Sequence, residues 1–523
     1  MKKTLLLILL FVSGYCSAQF NLEHTYAEGT VNRIKLEYSG EKYFLFKYAT
    51  KELKLFNADH TPWKTIAFPT GTNNILHISE AVFNPDSNLE IVYSYYDAAL
   101  GMSKSGIISE DGSVLLEVLN CSDLRLNEIP GLPDKMIAQM NGGGAKVFSV
   151  PELTLEHSYA ESRMQRIKLE TSGEKYFAID QLNNTVNVYN NNHSLWKTVS
   201  IPRPTNAFYF LSTITLFENS INGDAGLKVF YSYNVNSLRE AKIVDENNAV
   251  LLTVTDGVYC DLSILDGSEN KLLVAREVQT APGVSLLSTN VYHLPSLALE
   301  FAYPTEMKRM KMELSGEKYL TCLNPPDANA KIYNSDHTLW KSIPLPLPDA
   351  SYKAREIYVS ETTLNNDALI EVIYSGVTGS LFSPQYVSTI MNENGLVYLS
   401  VPDAAFLDVS VLPGFDNKVL GYISPLGSSS YGTVYSAPVL AVKGFNTDNV
   451  LIAPNPAKNY INLQSKTAIV DANVFDMRGI LVVKSNAANI KTLNIENLSA
   501  GMYLLHLTDS NGEKSVSKIL VSR

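Results

Sequence analysis

Three histidines each stand three residues ahead of a tryptophan–lysine pair. The stretches are His60-Thr61-Pro62-Trp63-Lys64, His193-Ser194-Leu195-Trp196-Lys197 and His337-Thr338-Leu339-Trp340-Lys341. Imidazoles can ligate a metal, and tryptophans at a fixed spacing have the look of a binding site. These three stretches hold all 3 tryptophans of the chain. The histidines lie 133 and 144 residues apart, so a threefold arrangement would set them a third of a circle apart, too far to share one ion. The expected role is structural: the imidazole or its backbone organises a turn, and the tryptophan packs between sheets.

Other residues of reactive type form no constellation. His24 and His157 give way to Phe301 in the third copy, and a position that accepts Phe is an apolar contact rather than a general base. His77, His293 and His506 lack partners at motif spacing, and no H-E-x-x-H occurs. Gly142-Gly143-Gly144-Ala145-Lys146 lacks the frame of a phosphate loop and reads as a hairpin. Gly427-Ser428-Ser429-Ser430-Tyr431-Gly432 is a turn at the same place in the third copy, not a nucleophile elbow. Asn84-Pro85-Asp86-Ser87-Asn88 and Asn365-Asn366-Asp367 could offer oxygens to Ca²⁺, but neither fits the twelve-residue EF-hand loop, and Asn and Asp are common turn formers. No other cofactor is expected. A catalytic site must break a threefold repeat, and the visible asymmetries are weak: Asp97 against Asn234 and Gly376, and Glu80 and Glu361 against Thr213.

The elements that position these residues are repeated. Ser39-Gly40-Glu41-Lys42-Tyr43 returns as Ser172 to Tyr176 and Ser315 to Tyr319, and Tyr93-Ser94 as Tyr231-Ser232 and Tyr374-Ser375. Three units follow, 22–154, 155–298 and 299–441. Arg33-Ile34-Lys35-Leu36-Glu37 alternates polar and apolar residues as a half-buried strand does, and no segment keeps a helical period. Turns recur at intervals of about 40–50 residues, the length of one four-stranded propeller blade. The sequence therefore predicts an all-β chain, with a closed β-propeller of nine four-stranded blades over 19–441. Six longer blades, or three β-domains in a row, are the alternatives. Unit three lacks the strand that Leu155-Glu156-His157 begins in unit two. Leu22-Glu23-His24 at the N-terminus supplies it and would close the circle. The turn from Asn57 to Trp63 loosely resembles the Asp-box hairpin of sialidase-type propellers, without its glycine and one residue short; in those proteins the box is structural.

Lys2-Lys3, the apolar run from Thr4 to Val12 and Cys16-Ser17-Ala18 read as a signal peptide over 1–18, with Tyr15 arguing against lipidation of Cys16. Cys121, Cys260 and Cys322 remain, an odd number without a C-x-x-C, and are expected as three buried thiols, with Cys121 and Cys260 at nearly equivalent places. A formal net charge of −11 without a basic cluster argues against nucleic acid as a partner.

A linker over 442–449 precedes a small all-β domain of Ig-like sandwich type, 450–523, in which Pro454 and Pro456 should lie at a sheet edge. Pro454-Asn455-Pro456-Ala457, Val474-Phe475-Asp476-Met477-Arg478-Gly479, Leu498-Ser499-Ala500-Gly501-Met502-Tyr503 and Lys518-Ile519-Leu520-Val521 carry a resemblance. In order and spacing they resemble the type A C-terminal sorting domain of the bacterial type IX secretion system. The resemblance implies export to the medium or the outer cell surface, with the secretion machinery as a partner and surface lipopolysaccharide as an attachment point after cleavage. The repeat region then reads as a binding module for a glycan or other surface ligand. The alternative is a polysaccharide hydrolase or lyase on the same scaffold.

Overall fold

The computed structural model describes residues 20–522 apart from 85, 181, 202–213, 236–237, 282–283, 322–327, 365–368, 381–382, 438–449, 466, 477–480 and 511–513. The predicted signal peptide and linker, Thr213, Cys322, Asn365-Asn366-Asp367 and Gly479 lie outside the described residues. Among the described residues, every regular element is a β-strand. The chain divides into two compact units, 1–438 and 439–523.

Among the described residues, the first unit contains nine four-stranded antiparallel sheets. Sheets one to eight each take four consecutive strands. Sheet one is Asn32–Leu36, Gly40–Lys47, Glu52–Asn57 and Pro62–Ala67. Sheet two is Thr72–Ser79, Glu90–Asp97, Met102–Ser109 and Val114–Leu119. Sheet three begins at Cys121–Asn127, four at Gln165–Leu169, five at Ile214–Phe217, six at Gly257–Ser263, seven at Met307–Met312 and eight at Lys353–Ser360. Sheet nine has three strands from the end of the repeat region, Ala404–Ser410, Lys418–Ile423 and Tyr431–Ser436, and takes its fourth from the N-terminus, Asn21–Tyr26. The count is nine sheets, not six. The units are also not separate domains, because each sheet shares a core with the next.

Inner strands read as apolar runs because both their faces are covered. In Glu90–Asp97, Ile91 and Tyr93 pack toward sheet one while Val92 packs toward sheet three. Several fourth strands carry one buried residue in six, the same pattern in Pro62–Ala67, Val114–Leu119 and Leu195–Ser200. Nine cores join the sheets in succession. Leu36 and Leu55 meet Ile91 between one and two, and Val147 and Tyr159 meet Tyr176 between three and four. The ninth core joins Leu420, Val434 and Tyr26 of sheet nine to Tyr43 and Leu45 of sheet one.

Every one of the nine sheets has a β-bulge where its fourth strand starts. The extra residue is Trp63, Leu115 and Glu156 in sheets one to three, Trp196, Leu251 and Glu300 in four to six, and Trp340, Tyr398 and Glu23 in seven to nine. A bulge turns a side chain that would follow the pleat out toward the neighbouring sheet. The three tryptophans are thus one kind of bulge residue.

In the second unit, Val450–Ala453, Tyr460–Ser465 and Thr492–Asn494 form one sheet. Leu481–Asn486, Ile469–Asp476, Gly501–Asp509 and Lys514–Val521 form the other. Ile461, Leu463, Val474, Leu505 and Ile519 fill one core shared by both.

Candidate functional site

The residues of the His-x-x-Trp-Lys motif make the same contacts in all three units. His60, His193 and His337 occupy left-handed turn positions with φ of 65°, 66° and 66°. That backbone is strained for a non-glycine residue, and side-chain contacts offset the strain. Tyr26 Oη lies 2.8 Å from His60 Nδ1, and the same pair recurs as Tyr159–His193 at 2.7 Å and Tyr303–His337 at 2.8 Å. His24, His157 and Phe301 stack on these imidazoles at 4.8, 4.9 and 4.7 Å. A flat ring suffices there, which is why Phe replaces His. The bulge glutamates Glu23, Glu156 and Glu300 approach the far nitrogen at 3.6, 3.7 and 3.2 Å.

Each tryptophan lies between two lysines. Lys42 and Lys64 stand 4.7 and 4.5 Å from the Trp63 ring, Lys175 and Lys197 flank Trp196, and Lys318 and Lys341 flank Trp340. Lys64 then pairs with Glu110 of sheet two at 2.5 Å, as Lys197 does with Glu246 and Lys341 with Glu393. Each motif so ties the preceding sheet, through its histidine, to the following one, through its lysine.

Two further sets of residues are threefold. Arg33, Arg166 and Arg309 are fully buried, and each pairs through Nε with Glu41, Glu174 or Glu317 at 2.7–2.8 Å. Their remaining nitrogens donate to carbonyls of the preceding sheet: Asn127 and Pro133 for Arg166, Ser263 and Glu269 for Arg309, Ser410 and Asp416 for Arg33. Glu80 Oε2 accepts the N–H groups of Tyr38 and Ser39, both at 2.8 Å. Glu361 does the same for Leu314 and Ser315, and Glu218 for Thr171 and Ser172. The second-unit counterpart of Glu80 is therefore Glu218 and not Thr213, so this apparent asymmetry is a true repeat. The signal was present in sequence, since arginine and glutamate both recur at the unit spacing.

The remaining candidates have the following surroundings. Asp97 pairs with Lys104 at 3.0 Å and accepts the N–H groups of Ala99 and Leu100. Counted from Tyr93, Tyr231 and Tyr374, Asn234 and Gly376 fall one and two places short of its position. His77 packs edge-on against Phe83, His293 lies 3.2 Å from Ser296 Oγ, and His506 meets the Phe475 ring. Gly142, Gly143 and Gly144 all have positive φ in a hairpin, and Gly427 has φ 76° in the matching turn. Cys121 and Cys260 are free thiols in separate cores, each with its pKa raised by burial. They are not equivalent: the bulge position of Cys121 is Gly257 in sheet six. Cys260 is only partly buried, short of the full burial expected. Among the described residues, no three His, Cys, Asp or Glu side chains are placed to share a metal ion.

Titration follows burial. Desolvation first, then the neighbouring His24, pushes His60 below the usual histidine range, and His193 is lowered likewise by burial and His157. Glu23 and Lys418 also face His60, together with Tyr26 and Tyr43. The unfolded chain then binds protons more readily, so stability is full above pH ~6.5 and falls as pH drops toward the folded pKa. Replacing His24 by Phe, the arrangement of unit three, should reduce the acid-induced loss by about 0.5 kcal/mol, allowing for screening at this partly wet site. Denaturant midpoints of wild type and His24→Phe at pH 7.5 and 5.5 check this; equal losses in both proteins would refute it. Burial also pushes the Glu90 carboxyl up to about 7, with the Asp86 charge adding to it and the Asn84 amide opposing, near but outside hydrogen-bond geometry.

One concave site breaks the threefold pattern. A groove of about 420 Å³ lies at the seam of sheets three and four, lined by Asp123, Arg125, Gln139, Arg163, Gln165 and the buried Arg166 among others. Arg125 is 74% exposed and pairs with Asp123 at 2.7 Å. The cross-strand pair Asp123–Gln139 corresponds to Tyr259–Ala275 in sheet six and Phe406–Tyr422 in sheet nine. At those seams an aromatic ring takes the space: Tyr259 reaches Glu306, and Phe406 stacks on Tyr422 at 5.3 Å. Short polar side chains leave the first seam open.

In the second unit, Asn455 lies between two prolines that have no N–H to give. Its amide substitutes for them, donating to Lys518 O at 3.0 Å and accepting Leu520 N–H at 2.7 Å. Ala457 then bridges to Val521, so the segment runs along the outer strand of the second sheet. Gly501 opens its strand, and Tyr503 donates to Ser499 O at 3.0 Å. Lys518 contributes its backbone.

Residues 451–522 match the family model of the secretion system C-terminal sorting domain. An endo-acting ulvan lyase of Formosa agariphila is 36% identical over 76 residues, 14% of this chain and 15% of the lyase. The chain thus spans a small part of that relative. Among solved structures, BamB from Moraxella catarrhalis matches at 10% identity and TM-score 0.37, over 69% of this chain and 96% of BamB. The Dos1 propeller matches at 10% identity and TM-score 0.38, over 72% and 96%. The chain carries a type IX secretion sorting domain and is a protein exported to the cell surface or beyond.

Proposed function

We propose that the exported protein is a binding module whose nine sheets form one closed ring, and that the groove at the first seam takes an acidic polysaccharide. The carrying observation is the groove itself, a place where the three units differ in their polar lining. Against a chain of net charge −11, its exposed Arg125 and its Arg163 stand out, and guanidinium groups match uronate carboxylates or sulfates in geometry. Binding is favoured over hydrolysis because the groove's lining includes one carboxylate, Asp123, already paired with Arg125, whereas glycoside hydrolysis needs two free to act. After sorting, the protein would sit on surface lipopolysaccharide or be released, with the ligand outside the cell.

The test is binding of the mature chain to immobilised uronate-rich, sulfated and neutral polysaccharides. Acidic polymers should be retained and neutral ones not. Arg125→Glu and Arg163→Glu should each lower affinity on the order of tenfold, about what one lost charged contact costs. Retention unchanged in both variants would sink the site, and release of new reducing ends would favour the enzyme reading.

A further inference from the structure

In the second sheet of each unit, the second strand opens with a charged residue without exposed surface: Glu90, Lys228 and Glu371. In unit two the Lys228 ammonium is held by the Glu218 carbonyl at 3.1 Å, the Asp224 carbonyl at 2.7 Å and the Asp224 carboxylate. Unit one has matching residues at the same spacing, Glu80, Asp86 and Glu90 against Glu218, Asp224 and Lys228. Glu80 caps its turn as Glu218 does, and Phe83 is buried as Ile221 is. Asp86 Oδ1 accepts the Asn88 N–H at 2.8 Å, as Asp224 Oδ1 accepts the Gly226 N–H at 2.9 Å, so both carboxylates are oriented alike. The buried residue differs: a lysine in unit two, a glutamate in unit one. Neither oxygen of Glu90 has a hydrogen-bond partner. A position that holds a positive charge in one unit therefore holds a buried carboxylate near the exposed Asp86 in another, a pairing of like groups that a bound cation would favour.

We infer that a calcium ion binds between the carboxylates of Glu90 and Asp86, with the carbonyls of Glu80 and Asp86 as further ligands. Glutamate is one atom shorter than lysine, so an ion bound to its oxygens falls near the position of the ammonium. Two acidic side chains with neutral oxygens suit Ca²⁺, which takes carboxylate, amide, carbonyl and water oxygens alike. Zinc would ask for His or Cys, and none lies between Glu80 and Glu90. The exported destination supplies calcium at the concentrations that extracellular sites use, with dissociation constants of about 10⁻⁴–10⁻³ M.

Equilibrium dialysis of the chelator-treated full mature chain against Ca²⁺ tests the site, with thermal melting alongside. Glu90→Lys recreates the unit-two arrangement and should bind one Ca²⁺ fewer per chain, with a smaller calcium-induced rise in Tm. Glu90→Gln keeps the shape should the lysine variant misfold, and should weaken that site on the order of tenfold. No Ca²⁺ uptake by wild type, or equal stoichiometry and affinity in wild type and Glu90→Gln, would overturn the inference.

Discussion

Replacing Arg33 by Met should destabilise the nine-sheet unit by about 3–5 kcal/mol, the usual cost of removing one partner from a buried ion pair. The guanidinium is fully buried, and Glu41, its partner at 2.7 Å, is only 10% exposed. Methionine fills most of the volume but strands that carboxylate and the carbonyls of Ser410 and Asp416. Lysine would not rescue it, because one ammonium cannot replace a fork bonded in three directions. Removing both charges, Arg33→Met with Glu41→Leu, should recover most of the loss, since the unpaired buried charge is its larger part. Denaturant unfolding followed by tryptophan fluorescence measures this unit alone, because all 3 tryptophans lie within it. A loss below about 1 kcal/mol would mean that the seam of sheets nine and one is held elsewhere.

The second large effect distinguishes a cycle from a row. Tyr26, Tyr159 and Tyr303 are equivalent: each is buried, contacts a motif histidine, and packs against Tyr43, Tyr176 or Tyr319. Tyr159 and Tyr303 sit in mid-chain, whereas Tyr26 lies in the described strand nearest the N-terminus. If the sheets form a cycle, truncation to Ala should cost about 3–5 kcal/mol at all three places, the range for a large buried aromatic. In an open row Tyr26 would lie at a fraying end, and its loss would cost a fraction of that. Unequal costs, with Tyr26 cheap, would refute the closed ring.

The repeat was legible because each unit must bury the same faces. Identical burial demands the same residue types at the same spacing, so Ser-Gly-Glu-Lys-Tyr and the tryptophan motif marked the period before any contact was known. The completing strand was legible for the same reason: Leu22-Glu23-His24 copies the missing piece. Asn455 was visible as part of a motif but not as the amide that, between two prolines, donates to Lys518 O and accepts the Leu520 N–H. The bulges were not legible, because a bulge is a hydrogen-bond offset between two strands and not a residue type. Matching Glu80 to Thr213 failed since loop residues count in register from their anchors, and only the turn they cap shows that Glu218 is the counterpart.

Sequence alone determined the class of structure, the threefold period, the strand that completes the ninth sheet and the export domain. All of these follow from local spacing and short patterns. Tertiary structure decided which residues do the joining and where the units differ. Arg33 meets carbonyls 377 and 383 residues away. The groove exists because Asp123 and Gln139 fall where Tyr259 and Phe406 fill the other seams, and Glu90 gains its meaning from Lys228 in another unit. Such roles depend on what burial brings together, and burial is a property of the packed sheets.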